Sequence, residues 1–394
     1  MDFYDRRYTI GFTDAALGPA DLMRRIRTDI NAAVPTDMAR FEAPDGEEPG
    51  PAEVQKLAPI SASATGQPIS GVPDVDSRGQ GGLLDVALSP NFVTDRTLFW
   101  SFTEPRQGGN GTSVARGVLS ADRRSLTDVR VIFRALPTYG NNMHFGSRLA
   151  FGPDGNLYIT LGERSDAPMR RYAQQLDAHL GKIVRIRPDG SVPGDNPFVG
   201  QAGAQPEIWT IGHRNLQAAA FDPQGRFWVV EHGTNGGDEL NLIQRGRNYG
   251  WPLQAYGEEY SGAPIPNATT TRAGMEQPVY YWDPVIAPSG AQFYTGSAFP
   301  AWRNNLFVGA LKEMRLVRLV IENNINGTDS VLRACSLPLR SCPSAAGASA
   351  AGASPSGARP RRRAAAAEQG SFEHPRCRCR RRCSGGRRPT RACA

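Results

Sequence analysis

The chain has no cysteine before position 335: all six (Cys335, Cys342, Cys377, Cys379, Cys383 and Cys393) crowd into its last stretch. The first 334 positions can therefore form no disulfide and offer no thiolate nucleophile or metal ligand. A cysteine-free body suits an exported bacterial protein and a cytosolic one equally. Long apolar runs are also missing, since nothing approaches the ~20 residues of a membrane-spanning helix. The opening Met1-Asp-Phe-Tyr-Asp-Arg-Arg7 lacks the apolar centre of a secretory signal, so the expectation is a chain with no membrane span and no export signal. Clustered positive charge is absent outside the tail. The formal charge is +7, but residues 331–394 hold 14 arginines against Glu368 and Glu373, which leaves −5 on residues 1–330. A mildly acidic body gives no reason to expect nucleic acid as a partner.

What is abundant is turn chemistry. The 394 residues include 43 glycines and 31 prolines, as expected where many short strands are joined by tight turns. Three zones follow. Residues 1–70 hold an amphipathic stripe (Leu22, Met23, Ile26, Ile30) that predicts a short helix, then a Pro/Gly/Ser-rich linker. Residues 71–330 repeat one unit: an apolar stretch, a turn of the form Phe-x-Pro-x-Gly, and a β-rich stretch. The copies are Leu88-Ser-Pro-Asn-Phe92, Phe151-Gly-Pro-Asp-Gly155, Phe221-Asp-Pro-Gln-Gly225 and, more loosely, Phe299-Pro-Ala-Trp302. Their prolines lie 63, 70 and 77 residues apart, room for about four strands each. That spacing predicts an all-β fold, a β-propeller, in preference to a sandwich. Residues 331–394 turn to Ser/Ala/Gly/Pro and then Arg-rich text, predicted disordered. Cys377, Cys379 and Cys383 match no common zinc spacing.

Propellers gather ligands where loops converge, so polar residues in loops beside the repeats are the candidates. His144 stands among amides and small residues ahead of a strand, with Glu163 after the next one. A histidine oriented by a carboxylate is a general base, and a structural histidine bonded to a loop carbonyl is the alternative. Arg214 and Asn215 supply a planar donor fork and an amide, for a hydroxyl- or carboxylate-rich ligand or for a salt bridge between blades. The run Glu231-His-Gly-Thr-Asn-Gly-Gly-Asp-Glu-Leu240 combines glycines with Asp238 and Glu239, hard oxygen donors suited to Ca²⁺ or simply an acidic turn.

Together these segments resemble the soluble quinoprotein (pyrroloquinoline quinone, PQQ) aldose and glucose dehydrogenases, the six-bladed glucose/sorbosone dehydrogenase family. The matching text runs in order over about 250 residues: Gly79-Gln-Gly-Gly-Leu-Leu84, His144-Phe-Gly-Ser-Arg148, Gly181-Lys-Ile-Val-Arg185, Gly212-His-Arg-Asn215, Gly236-Gly-Asp-Glu239, Asn248-Tyr-Gly-Trp251, Ala287-Pro-Ser289 and Leu311-Lys312. The resemblance implies oxidation of an aldose at its anomeric carbon to the lactone, with hydride passing to PQQ and His144 as base. It implies that Glu163 orients His144, that Arg214 and Asn215 contact quinone and substrate, and that Gln80 and Lys312 bind the cofactor. Carbonyls of Gly233 and Thr234 would hold Ca²⁺, although Thr234 stands where the family commonly has proline. The implied partners are an aldose and an external electron acceptor, in the periplasm or outside the cell. An opening blade before Gly71 and an arginine-bearing closing segment after Lys312 are expected of the family and not recognised here, so the resemblance implies an incomplete six-bladed-type propeller, truncated at both ends, with roughly four to five blades. A non-catalytic sugar- or protein-binding propeller, or an inactive truncated homologue, is the alternative function.

Overall fold

The computed structural model describes residues 69–297, 299–312, 315–323 and 329–338. The stripe from Leu22 to Ile30 and the arginine-rich text lie outside the described residues. Among the described residues sixteen strands form four sheets, each a simple antiparallel meander of four consecutive strands. The first holds β1 (Leu83–Leu88), β2 (Thr97–Arg106), β3 (Gly109–Leu119) and β4 (Leu126–Arg134). The second holds β5 (Gly146–Phe151), β6 (Leu157–Leu161), β7 (Lys182–Ile186) and β8 (Ile208–Ile211). The third holds β9 (Leu216–Phe221), β10 (Phe227–Glu231), β11 (Asp238–Ile243) and β12 (Tyr280–Trp282). The fourth holds β13 (Pro288–Phe293), β14 (Leu306–Ala310), β15 (Arg315–Asn323) and β16 (Asp329–Pro338). First strands of successive sheets lie side by side, β1 on β5, β5 on β9 and β9 on β13, which makes the sheets propeller blades around a common axis.

Each repeated proline sits in the turn between the first and second strand of its blade. At that turn Gly155 and Gly225 take φ of +76° and +79°, a conformation that costs glycine nothing and a side chain strain. The turn is closed by Gly155 N–H donating to Gly152 O at 3.0 Å and Gly225 N–H to Asp222 O at 2.9 Å. The repeat was visible because this constraint is local.

Middle strands bury both faces, so they read as unbroken apolar runs rather than alternating ones. In β10, Phe227 and Val229 enter a cluster with Tyr158 and Ile183 of the second blade. Trp228 and Val230 face the opposite way, onto Leu240, Phe293, Leu306 and Val308. Burying one such side chain contributes about 1.5–3 kcal/mol, and the period of two distributes that gain to both neighbouring blades. Near the axis, Arg148 of β5 donates from Nε to Gln217 O of β9 at 2.5 Å and from Nη2 to Ser289 O of β13 at 2.8 Å. Its Nη1 lies 3.7 Å from Asp85 of β1, so one guanidinium braces the first strands of all four blades.

One boundary needs correction. The disordered tail was expected from residue 331, but β16 pairs with β15 from Asp329↔Asn323 to Pro338↔Arg315. Val331 and Ala334 pack against the core of the fourth blade. An exposed strand edge offers backbone groups that accept any sequence able to extend, so composition alone placed the boundary too early.

Candidate active site

Strand direction alternates in a meander, so the proline turns lie at one end of the blades. Connections from each blade's second to third strand, and from one blade to the next, lie at the other. His144, Glu163, Arg214, Asn215, Gly233, Thr234 and Lys312 all belong to that second set of connections. Backbone bonds stitch these loops together: Glu163 N–H donates to Arg214 O at 2.9 Å, His232 N–H to Asn215 O at 3.0 Å, and Lys312 N–H to Ile286 O at 3.2 Å.

His144 is 5% exposed and adopts φ of +48°, which a histidine keeps only if its surroundings impose it. Those surroundings are explicit. Its N–H donates to Gln80 Oε1 at 2.8 Å, and the buried Arg164 donates from Nε to Met143 O at 3.1 Å and from Nη2 to Asn141 O. The Arg164 guanidinium also lies 4.3 Å from the Phe145 ring, and its burial pushes it down to about 10. The imidazole Nδ1 lies 2.7 Å from Glu163 Oε1. A carboxylate acceptor there selects the Nδ1–H tautomer and leaves the Nε2 lone pair free, with no partner among the described residues. Burial holds His144 below the usual histidine range, more than the Glu163 bond raises it, and the charge of Arg214 lowers it further. His144 is thus uncharged at neutral pH.

The connection beneath it leaves no slack. A Cβ on Gly162 would stand 2.2 Å from His144 O and 2.9 Å from Asn215 Oδ1. We predict that Gly162→Ala destabilises the fold by about 1–3 kcal/mol, by overpacking, and depresses activity more than its stability loss explains. Thermal melting beside kcat/KM tests this; an unchanged kcat/KM would show that the loop tolerates the shift.

Arg214 reaches across the opening. Its Nη1 donates to His232 O at 3.3 Å and to Gly233 O, and its Nη2 to Tyr260 Oη at 3.3 Å. Its Nε is buried without a partner, and the guanidinium stands 5.3 Å from the Trp251 ring. Asn215 accepts Gly146 N–H at 3.2 Å through Oδ1. Lys312 is exposed at the end of β14, and its side chain makes no hydrogen bond or ion pair among the described residues.

In the acidic run the carboxylates are taken up within the protein. Asp238 is no cation donor: its Oδ1 accepts Gly233 N–H at 2.8 Å, and its Oδ2 accepts Ile286 and Ala287 N–H at 2.7 and 2.8 Å. It is a brace between the third and fourth blades. Glu239 turns toward Glu231, with Asn241 Nδ2 bridging them at 3.0 and 3.2 Å, and burial followed by repulsion from Glu231 pushes its carboxyl well above the usual range. Among the described residues no group of three or more His, Cys, Asp or Glu gathers as a metal site. A cavity of about 20 Å³, roughly one water in size, lies between Arg214, Thr234, Glu239, Trp251 and Tyr256. Thr234 Oγ1 and Trp251 Nε1 are buried without partners there.

Sequence reasoning missed a second histidine–carboxylate pair. His213 Nδ1 lies 2.9 Å from Glu231 Oε1, while Glu231 Oε2 accepts Arg214 N–H at 2.7 Å. The partners are 18 residues apart, against 19 for His144 and Glu163, and occupy the same places one blade later. That near-equal spacing was the available signal. This copy is closed, because Thr210 Oγ1 occupies Nε2 at 2.9 Å and Tyr249 stacks on the ring.

An open histidine–carboxylate pair, flanked by an arginine and amides at the loop end of a β-propeller, has the chemistry to meet a small polar ligand. Comparison with known proteins narrows this. The profile of the family Glucose / Sorbosone dehydrogenase matches residues 53–347. An aldose sugar dehydrogenase of Escherichia coli is 47% identical over 263 residues, covering 66% of this chain and 69% of that protein. The crystal structure of a glucose dehydrogenase superposes with TM-score 0.66 at 47% identity, covering 69% of this chain and 77% of that one. The PQQ-bound form of an aldose sugar dehydrogenase from Streptomyces coelicolor superposes with TM-score 0.53 at 28% identity, covering 69% and 72%. This chain belongs to the glucose/sorbosone dehydrogenase family, and PQQ-dependent aldose sugar dehydrogenases are among its relatives there.

Proposed function

We propose that this chain oxidises an aldose at its anomeric carbon to the lactone, with PQQ as cofactor and His144 as the base. The observation that carries this reading is the His144 Nε2 lone pair, left unpartnered at the mouth while Glu163 holds Nδ1. An acidic, carboxylate-bearing quinone suits the unspent donors around it. Those are the Arg214 Nε, the exposed Lys312 ammonium, and the side-chain amides of Gln80 and Asn215. When bound, PQQ supplies the acceptor for the hydride leaving the sugar's anomeric carbon.

His144 Nε2 takes the anomeric hydroxyl proton, and the bond between that oxygen and the anomeric carbon becomes the lactone carbonyl. Glu163 keeps the tautomer and stabilises the imidazolium formed as the proton arrives. Arg214 fixes the polar end of the bound pair and, by lowering the basicity of His144, keeps it unprotonated and ready. Ca²⁺ fits less well as the side chains stand. Gly233 O already accepts from the Arg214 guanidinium and Asp238 is fully engaged, so no step is routed through the metal.

The test is purified full-length protein supplied with PQQ and Ca²⁺, with glucose-dependent dye reduction and lactone formation as readouts. Neither signal, with PQQ shown to bind, would overturn the proposal. The pH profile follows from the same geometry. The base must be neutral, so kcat/KM falls on the acid side with an inflection below the ordinary histidine value of 6.5. Glu163 raises His144 toward that value, so Glu163→Gln should move the inflection to still lower pH and cut kcat by on the order of 10²-fold. An inflection that rises in the variant would refute the assigned pairing.

A further inference from the structure

We infer that Arg170, Glu259 and Tyr260 are positioning residues for Arg214, joined in a relay across the mouth of the site; this rests on the dehydrogenase reading above. Arg170 ends the helical turn Ala167–Arg170 in the connection between β6 and β7, and Glu259 lies in the connection between β11 and β12. They are 89 residues apart in the chain, yet Arg170 Nη1 donates to Glu259 Oε1 and Nη2 to Oε2 at 3.1 Å. Such a two-pronged pair fixes orientation as well as distance. The two side chains are 17% and 21% exposed, so solvent screens the pair only in part.

The next residue carries the effect to the site. Tyr260 is 73% exposed, unusual for a tyrosine with a defined partner, and its hydroxyl accepts from Arg214 Nη2 at 3.3 Å. Its ring meets only the Arg214 guanidinium, 6.0 Å away, among the ring contacts of the described residues, so the position of its backbone is set by the neighbouring Glu259 and the short turn around it. That turn is closed by Glu259 N–H to Ala263 O and Gly262 N–H to Glu259 O, both at 2.8 Å.

Electrostatics gives the pair a second task. The guanidiniums of Arg170 and Arg214 lie 5.4 and 5.3 Å from the same Trp251 ring. Two cations sharing one ring repel, and the Glu259 carboxylate, held below its usual range by Arg170, offsets the excess charge. Arg214 has no partner on Nε and holds two carbonyls through Nη1. The Tyr260 contact is what fixes its remaining nitrogen.

The experiment compares the full-length wild type with Arg170→Ala, Arg170→Lys, Glu259→Gln, Tyr260→Phe and the double variant Arg170→Ala/Tyr260→Phe. Glucose kinetics with saturating PQQ and hydrogen–deuterium exchange of the peptide spanning residues 256–263 are both read. Arg170→Ala and Glu259→Gln should each raise the KM for glucose by about threefold to tenfold with kcat little changed. Both should speed exchange in that peptide, and Arg170→Lys should recover part of each effect. Tyr260→Phe should raise KM without altering exchange, and the double variant should be no worse than Arg170→Ala alone. Additive KM effects, or unchanged exchange in both Arg170→Ala and Glu259→Gln, would overturn the relay. A wild type that oxidises no glucose would count against the dehydrogenase reading instead, and exchange alone would then decide whether the pair holds the loop.

Discussion

Replacing His144 with alanine should lower kcat for aldose oxidation by about 10²- to 10⁴-fold while leaving the affinity for PQQ within a few fold. The size of the loss follows from the geometry. Among the described residues no other histidine pairs a carboxylate on Nδ1 with a free Nε2: His213 is closed at Nε2 by Thr210, and His232 spends Nε2 on Pro288 O at 2.7 Å. Removing the imidazole also strips Glu163 of its hydrogen bond at Oε1, and Oε2 is already buried without a partner. His144→Ala is therefore expected to lose some stability, which would confuse the reading. His144→Gln separates the effects, since its amide can donate to Glu163 but cannot accept a proton near neutral pH. Stopped-flow reduction of bound PQQ by glucose, with a melting curve for each variant, is the measurement. A His144→Gln protein that keeps more than about a tenth of the wild-type rate would remove His144 from the role of base.

The largest stability effect is expected at Asp238, far less conspicuous in the sequence. It is 1% exposed and accepts three backbone N–H groups, from Gly233 within its own blade and from Ile286 and Ala287 on the way into the next. Asp238→Ala leaves all three donors buried and unsatisfied, at a cost of about 1–3 kcal/mol each. Because neighbours relax, the total should be on the order of 3–5 kcal/mol, a large part of the ~5–15 kcal/mol that holds a domain folded. Asp238→Asn should lose less, because one oxygen still accepts. Urea unfolding would show a lower midpoint for both, with alanine well below asparagine. Equal, small shifts would mean that water replaces the carboxylate and that the blades are joined by packing alone. The Gly233 carbonyl that receives Arg214 hangs from the same loop, so the alanine variant should lose activity as well as stability.

The two predictions draw on different kinds of legibility. His144 and Glu163 stood out in the sequence because polar residues in a loop ahead of an apolar strand have little structural reason to be there. The proline turns stood out because a positive φ demands glycine locally, whatever the rest of the fold does. Asp238 was misread. An acid next to glycines looks like a cation ligand until its partners are known, and they are backbone groups up to 49 residues away. Lys182 makes the same point from the opposite sign. It is fully buried, its Nζ is caged by the carbonyls of Tyr172, Ala173 and Leu180, and burial holds it well below the usual lysine range. Nothing in the text Gly181-Lys-Ile-Val-Arg185 announces a lysine inside a blade. Tyr260 carried no sequence signal at all, since its importance lies in one contact to Arg214.

By itself the amino-acid order determined the repeat, the strand runs between turns, the family resemblance and the end of the propeller on which the polar residues collect. Each of these depends on local backbone preference or on patterning with a period of two, which neighbours along the chain suffice to set. Tertiary structure alone decided which of two similar histidine–carboxylate pairs is open, which acid is a brace, and where the last blade ends. A polar side chain's chemistry depends on which of its atoms remain unsatisfied, and here the satisfying groups arrive from loops of other blades. His144 is a candidate base because none of them reaches its Nε2.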